Sequence, residues 1–268
     1  MKHALALFIL LSALPSVGCS RIARPPGELR ASNVGECAPT PCLRITLRSL
    51  PPLPPEVSSE GSEKIRGIVE AILYTPIEES SVERSEGALV NALKALFDEQ
   101  TTAGLSEAPV DWIFTRTAEV LFANSSIASI EIKSEGYIGG AHGFSDRSLL
   151  VFSSRSGTRL EWEDLISADS IPILSRIAEA EFRRVRGVAP GVKLSDAGFS
   201  FSSTDEFSLS KNFAITSAGI HLHYNPYEVA AFSYGATDIL IPMEVASALF
   251  NSATVDLTSL GTSPRLVP

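Results

Sequence analysis

The stretch Ala128–Gly143, ASIEIKSEGYIGGAHG, alternates apolar and polar residues and then breaks into a turn of glycine, alanine and histidine. Ile130 and Ile132 share one side of an extended chain while Glu131 and Lys133 share the other, the period-two pattern of a half-buried strand. The turn that follows, YIGGAHG from Tyr137 to Gly143, contains residues that tolerate positive φ and close backbone approach, notably Gly139 and Gly140. Ala118–Ala123 and Ser148–Phe152 alternate in the same way on either side, with short polar turns such as NSS and SRSGT beside them. Such a run of strands predicts β-rich structure through the middle of the chain.

Helical spacing flanks these strands. Ile65, Ile68, Val69 and Ile72 fall on one face of a helix that Pro76 ends, and Leu89, Leu93, Leu96 and Phe97 mark a second from about Ser85. Between Leu43–Leu47, a short alternating strand, and the first helix lies PPLPPEV, extended because proline fixes φ and removes donors. A third helix is predicted over Ser170–Arg186, with Ile173, Leu174, Ile177, Ala178, Glu181 and Phe182 as its mostly apolar stripe. Arg183, Arg184 and Arg186 sit where a helix C-terminus favours positive charge, and Gly187 stops it. Two more strands follow near Asn212–Thr216 and Gly219–Tyr224, then a strand (DILIP) and a short helix (MEVASALF). Strands and helices are segregated rather than alternating, which predicts an α+β fold with largely antiparallel sheets and packed helices.

The N-terminus carries an address. Ala4–Leu14 is an apolar run of signal-peptide length, interrupted only by Ser12 and too short for the roughly 20 residues of a membrane-spanning helix. Ser16-Val17-Gly18-Cys19-Ser20 resembles a bacterial lipobox, with Ser16 where leucine is usual. Residues 1–18 are therefore read as a signal peptide and Cys19 as the lipidated first residue of the mature chain, with ordinary cleavage nearby as the alternative. RIARPPGELRASNVGE, within residues 19–40, has almost no apolar periodicity and reads as a tether. Cys37 and Cys42 remain, and in an oxidising compartment they would most simply form a disulfide. A metal site competes with that reading but lacks nearby histidines.

The formal charge of −9 becomes −10 once Lys2 is removed, and no basic cluster offsets it. That balance excludes nucleic acid, whose binding depends on phosphate neutralisation, and suits a basic protein partner or plain solubility.

The mature chain has three histidines, His142, His221 and His223. His221 and His223 are one residue apart on a strand and share a face, so with His142 they form a candidate zinc set. His142 alone is a candidate general base. Against catalysis, no G-x-S-x-G elbow is present, and Ser208–Lys211 matches S-x-x-K without the accompanying elements of that enzyme class. Adjacent acids at Glu78–Glu79 and Asp205–Glu206 read as solvated turns, and Glu161, Glu163 and Asp164 as caps around Trp162. In a structural role, His142 bonds backbone through its ring nitrogens and ties its turn to a neighbouring strand. The segment Tyr224-Asn225-Pro226-Tyr227-Glu228 is a second turn of this kind. There the bodies of Tyr224 and Tyr227 are expected to be buried, and Glu228 to bond turn backbone or His142.

The order of GGAHG, SGTRLEWEDLI and NFAITSAGIHLHYNPYEVAAFSYGATDILIP resembles the paired extracytoplasmic domains of RsiV-type anti-sigma factors and PdaC-type peptidoglycan deacetylases. The resemblance implies two small subdomains, at 41–154 and 157–250, followed by a polar tail at 251–268. It implies a binding role at the cell envelope, facing the periplasm or exterior, for a lysozyme-like protein or a peptidoglycan-related ligand. Neither the deacetylase domain nor the sigma-binding segment has a counterpart here, so no enzymatic activity and no cofactor are carried over. The candidate binding residues are Tyr137, Gly139, Gly140, His142, Tyr224, Asn225, Tyr227 and Glu228. A cell-wall hydrolase using His142, with Glu228 or with zinc, and a purely structural lipoprotein are the alternatives.

Overall fold

The computed structural model describes the backbone of residues 31–34 and residues 41–76, 83–102, 110–201, 206–251 and 254–256. Cys19 and Cys37, and with them the expected lipid anchor and disulfide, lie outside the described residues, as do Glu78, Glu79 and Asp205.

The architecture is α+β, with two mostly antiparallel sheets and five α-helices among the described residues. The first sheet has the order β1 (Ala31–Val34), β2 (Leu43–Arg48), β3 (Trp112–Ala123), β4 (Ile127–Tyr137), β5 (Phe144–Ser153). Its one parallel pair, β2 with β3, is joined through α1 (Ser59–Leu73) and α2 (Glu86–Thr102), since a parallel neighbour needs a long crossover. β1 falls inside the stretch read as a tether. Its four residues form a strand by pairing antiparallel with β2, which no periodicity of their own announces.

α1 buries Gly61, Ile65, Val69 and Leu73, a strict i, i+4 row, and leaves Ile68 37% exposed. Ser58 caps it by accepting from the Gly61 N–H at 2.9 Å. A side chain at Gly61 would place its Cβ 2.4 Å from the Ser154 carbonyl oxygen, so glycine is what lets the helix start lie against the end of β5. The row from α1 packs on Ala118, Ile130, Ile132, Leu150 and Phe152, while Leu89 and Leu93 of α2 pack on Ile45, Leu47, Trp112 and Phe114. Both helices therefore cover the same face of the first sheet.

The opposite face is used only towards one end, and a bulge makes that possible. The β3–β4 register shifts between Val120 and Phe122, so that Phe122 pairs with Ser129. The extra residue turns Phe122 to the far side of the sheet from Ala118. There it joins Ile127 and Val151 in a core completed by the second half of the chain.

That half contains α3 (Trp162–Leu165), α4 (Ile171–Arg186), the second sheet in the order β6 (Phe213–Thr216), β7 (Gly219–Tyr224), β8 (Thr237–Pro242), and α5 (Met243–Ala246). α4 buries Leu174, Ala178 and Phe182 against Phe213, Ile215, Ile220, Leu222, Tyr224, Ile239 and Ile241. Gly187, at φ 66, terminates it in the left-handed conformation expected of that residue. Trp162 stacks on Phe213 with ring centroids 3.6 Å apart and donates its indole N–H to the Ser210 carbonyl. The acids beside it do cap the short helix, Asp164 accepting from the Glu161 N–H at 2.9 Å.

Candidate functional site

The YIGGAHG turn connects β4 to β5. Gly139 and Gly140 adopt φ of 90 and 88, and a Cβ at Gly139 would meet the Gln100 side chain at 2.6 Å and the Trp112 ring at 2.8 Å. The Tyr137 hydroxyl donates to the Gly140 carbonyl at 2.9 Å and holds the turn closed. His142 at its tip is exposed, with Nδ1 2.7 Å from the Gly143 carbonyl oxygen.

The YNPYE turn follows β7. The Asn225 N–H donates to Glu228 Oε2 at 2.8 Å and the Glu228 N–H returns to the Asn225 carbonyl at 3.1 Å. Closing this loop drives Tyr227 to φ 69, the one described non-glycine residue with positive φ. One expectation is corrected here and one open pair of alternatives is resolved. Tyr224 is buried and donates its hydroxyl to the Ser208 carbonyl at 2.8 Å, but Tyr227 is 66% exposed. Glu228 bonds turn backbone rather than His142, because its carboxylate reaches back to the start of its own turn.

The two turns meet. His142 Nε2 lies 3.2 Å from the Tyr227 hydroxyl, across 85 residues of sequence. The His142 ring stacks on Phe232 at 3.8 Å and 15°, and Tyr227 lies 5.4 Å from Phe232. The result is a three-ring surface with Tyr227 outermost. His142 thus bonds its own turn through one nitrogen and the second half of the chain through the other, a longer reach than a neighbouring strand.

A polar clip behind these rings joins the halves. β5 is an edge strand, and its outward backbone groups are taken by two asparagines. Asn225 Oδ1 accepts from the Arg147 N–H at 2.8 Å and its Nδ2 donates to the Arg147 carbonyl at 3.1 Å. Asn212 Nδ2 donates to the same carbonyl at 2.7 Å, and its Oδ1 accepts from the Leu149 N–H at 2.6 Å. In the other direction Ser129 of β4 both donates to and accepts from the Ile215 backbone, at 2.7 and 3.0 Å. Edge groups that would otherwise recruit another strand are satisfied internally.

The Arg147 side chain bonds Glu131 and, at 2.7 Å, Asp238. Asp238 also lies 2.8 Å from His223 Nδ1, while His223 Nε2 is 3.1 Å from Asn225 Oδ1. The hydrogen bond to His223 is the main reason the Asp238 carboxyl is held below its usual range, against an opposing effect of burial. His221, on the same face of β7, faces Thr216 Oγ1 at 3.0 Å, and burial followed by the Arg147 charge lowers its pKa.

The candidate zinc set is therefore dispersed. His221 and His223 share a face but hold different partners, and His142 belongs to the aromatic cluster. Among the described residues no three His, Cys, Asp or Glu are grouped to hold a metal ion. The S-x-x-K serine, Ser208, supplies its carbonyl to Tyr224. Arg186, read as a capping charge, reaches further than a cap: it donates to the carbonyls of Tyr234, Gly235 and Ala236 and to Thr237 Oγ1, pinning the loop after Phe232.

Residues 163–244 match the family model described as Protein of unknown function (DUF3298). The match spans most of the second half of the described structure, from α3 into α5. A crystal structure of a DUF3298-family protein from Bacteroides fragilis is similar over 90% of this chain and 100% of its own, with TM-score 0.62 and 17% identity. One from Pseudomonas aeruginosa PAO1 covers 84% and 94%, with TM-score 0.57 and 19% identity. At these identities the likeness is one of fold, and it extends beyond the matched segment into the first sheet. No curated protein matches the sequence.

Several contributors to the site have no sequence signal. Phe232, Asn212, Arg147 and Asp238 stand in ordinary strand or loop contexts, and only the pairing of the two halves makes them neighbours.

Proposed function

We propose that this chain is an exported, lipid-anchored binding module of the bacterial cell envelope, with Tyr227, Phe232 and His142 as its recognition surface for a lysozyme-like protein or a cell-wall glycan. The carrying observation is Tyr227: a large aromatic residue 66% exposed and held at φ 69. A bulky residue in that conformation costs of the order of 1 kcal/mol, and such strain gathers at ligand sites. An exposed aromatic on a braced turn is the anchor type that dominates protein interfaces, and its flat face suits a sugar ring equally. The brace is supplied by Asn225, Asn212 and Arg186 behind the rings.

The anchoring part of the reading rests on the apolar run Ala4–Leu14 and on Gly18-Cys19, and the expected Cys37–Cys42 disulfide on an oxidising compartment. The test is capture from envelope extract on the immobilised full chain, with lysozyme and solubilised peptidoglycan fragments assayed separately by titration. Saturable binding of one of them supports the reading. Absence of binding to both, with nothing captured that the Tyr227→Gly chain fails to capture, contradicts it.

A further inference from the structure

Arg116 on β3 points to the helix-covered side of the first sheet, where it closes the end of α1. Its Nη1 donates to the carbonyls of Leu73 at 2.9 Å and Thr75 at 2.8 Å, and Nε donates to Ser134 Oγ at 2.8 Å. The Phe114 ring lies 5.0 Å from the guanidinium carbon. Nη2 has no partner and no carboxylate forms an ion pair with Arg116 among the described residues. Burial lowers its pKa to about 10, with Asp146 acting the other way. A helix-closing role uses the Nη1 side of the group and leaves Nη2 of a largely desolvated charge unbonded, with Asp146 close enough to act on it but not paired with it.

The same guanidinium lines a cavity of about 300 Å³. Phe114, Ile138 and Phe144 supply apolar walls, Ser134 a hydroxyl, and Asp146 a carboxylate that has no hydrogen-bond or ion-pair partner among the described residues. One cation with a free Nη2 and one unpaired anion thus share one small space with apolar walls on Phe114, Ile138 and Phe144. The volume is at the lower end of small-molecule sites. A plain anion would gain Arg116 but meet Asp146, and a plain cation the reverse; a molecule carrying both charges satisfies both.

We propose that this cavity binds a small zwitterion, an amino acid or a peptide end, with its carboxylate on Arg116, its ammonium at Asp146 and an apolar side chain against Phe114, Ile138 and Phe144. The site lies on the face of the first sheet opposite the second half of the chain and contains none of the three rings of the Tyr227 surface.

Isothermal titration of the full chain in detergent micelles with L-leucine, N-acetyl-L-leucine and L-leucinamide tests it. Leucine binds, and each derivative binds weaker by roughly tenfold, the loss of about one charge-assisted hydrogen bond. Glycyl-leucine distinguishes a peptide end from a free amino acid, according to which binds tighter. Because Arg116 also closes α1, the decisive variant is Asp146→Asn at an exposed position. With unchanged melting temperature it reverses the order, so that N-acetyl-leucine binds tighter than leucine. No detectable binding of any probe at millimolar concentration, or an order of affinities that Asp146→Asn leaves unchanged, overturns the assignment.

Discussion

Asn225 grips Arg147 by both ends of its backbone, accepting from the N–H at 2.8 Å and donating to the carbonyl at 3.1 Å. Together with Asn212 this side chain stands in for a missing neighbouring strand, and it belongs to the turn that presents Tyr227. The grip therefore couples closure of the first sheet's edge to the geometry of the recognition surface.

Asn225→Ala removes that grip and leaves the Arg147 N–H without its partner, while the Arg147 carbonyl keeps its bond from Asn212. The expected loss is about 1–3 kcal/mol, read as a lower denaturation midpoint with an unchanged slope. Asn225→Asp retains one acceptor, loses the donor and falls between the two.

Tyr227→Gly separates strain from recognition. Glycine adopts φ 69 freely, so the relief offsets the lost His142 contact, and the melting temperature stays level or rises slightly. Tyr227→Ala keeps the strain and loses the ring, and it melts below the glycine variant. Circular dichroism melts of the three chains check this ordering.

Acid weakens the junction in two windows. His221 has its pKa lowered from 6.5 by burial and the Arg147 charge, so the unfolded chain takes up a proton that the folded chain resists. Its contribution is complete above about pH 6.5 and declines as the pH falls below that value. Asp238, lowered from 3.8 chiefly by its bond to His223, contributes above that value and loses the contribution as the pH falls through its folded pKa. Melting temperature measured against pH should fall in both windows. His221→Gln, which still offers a partner to Thr216, flattens the upper window and leaves the lower one.

Gly61→Ala tests the close approach of α1 to β5. Its Cβ would meet the Ser154 carbonyl oxygen at 2.4 Å, and the helix start must shift. A loss of about 1–3 kcal/mol is expected from overpacking of this kind, despite alanine's better helix propensity. An unchanged or raised stability in urea titration would show that the helix start can move freely.

The α+β class and the buried faces of α2 and α4 were legible because periodicity reports burial directly. Leu89, Leu93, Leu174 and Phe182 stand where their spacing places them. β1 was not legible, since an edge strand of four residues is specified by its pairing with β2. Nor was the turn of Phe122 to the other face, because the bulge shifts the register without changing the apolar pattern. At the site, GGAHG and YNPYE each stood out as turns, yet their contact spans 85 residues and depends on Asn212, Arg147 and Phe232, whose local contexts are unremarked. The expectation of a buried Tyr227 failed for a physical reason. The Asn225–Glu228 hydrogen bonds set the turn, and the positive φ that results carries the ring outward.

The most direct measurement is a titration of the identified envelope partner, lysozyme or a peptidoglycan fragment, into the full chain and into its Tyr227→Gly variant, with melting curves recorded on the same samples. The account predicts unchanged melting and a loss of affinity of roughly thirtyfold or more, the signature of an aromatic hot spot of at least about 2 kcal/mol. Equal affinity in the two chains would contradict it and would leave the three rings as internal bracing of the junction.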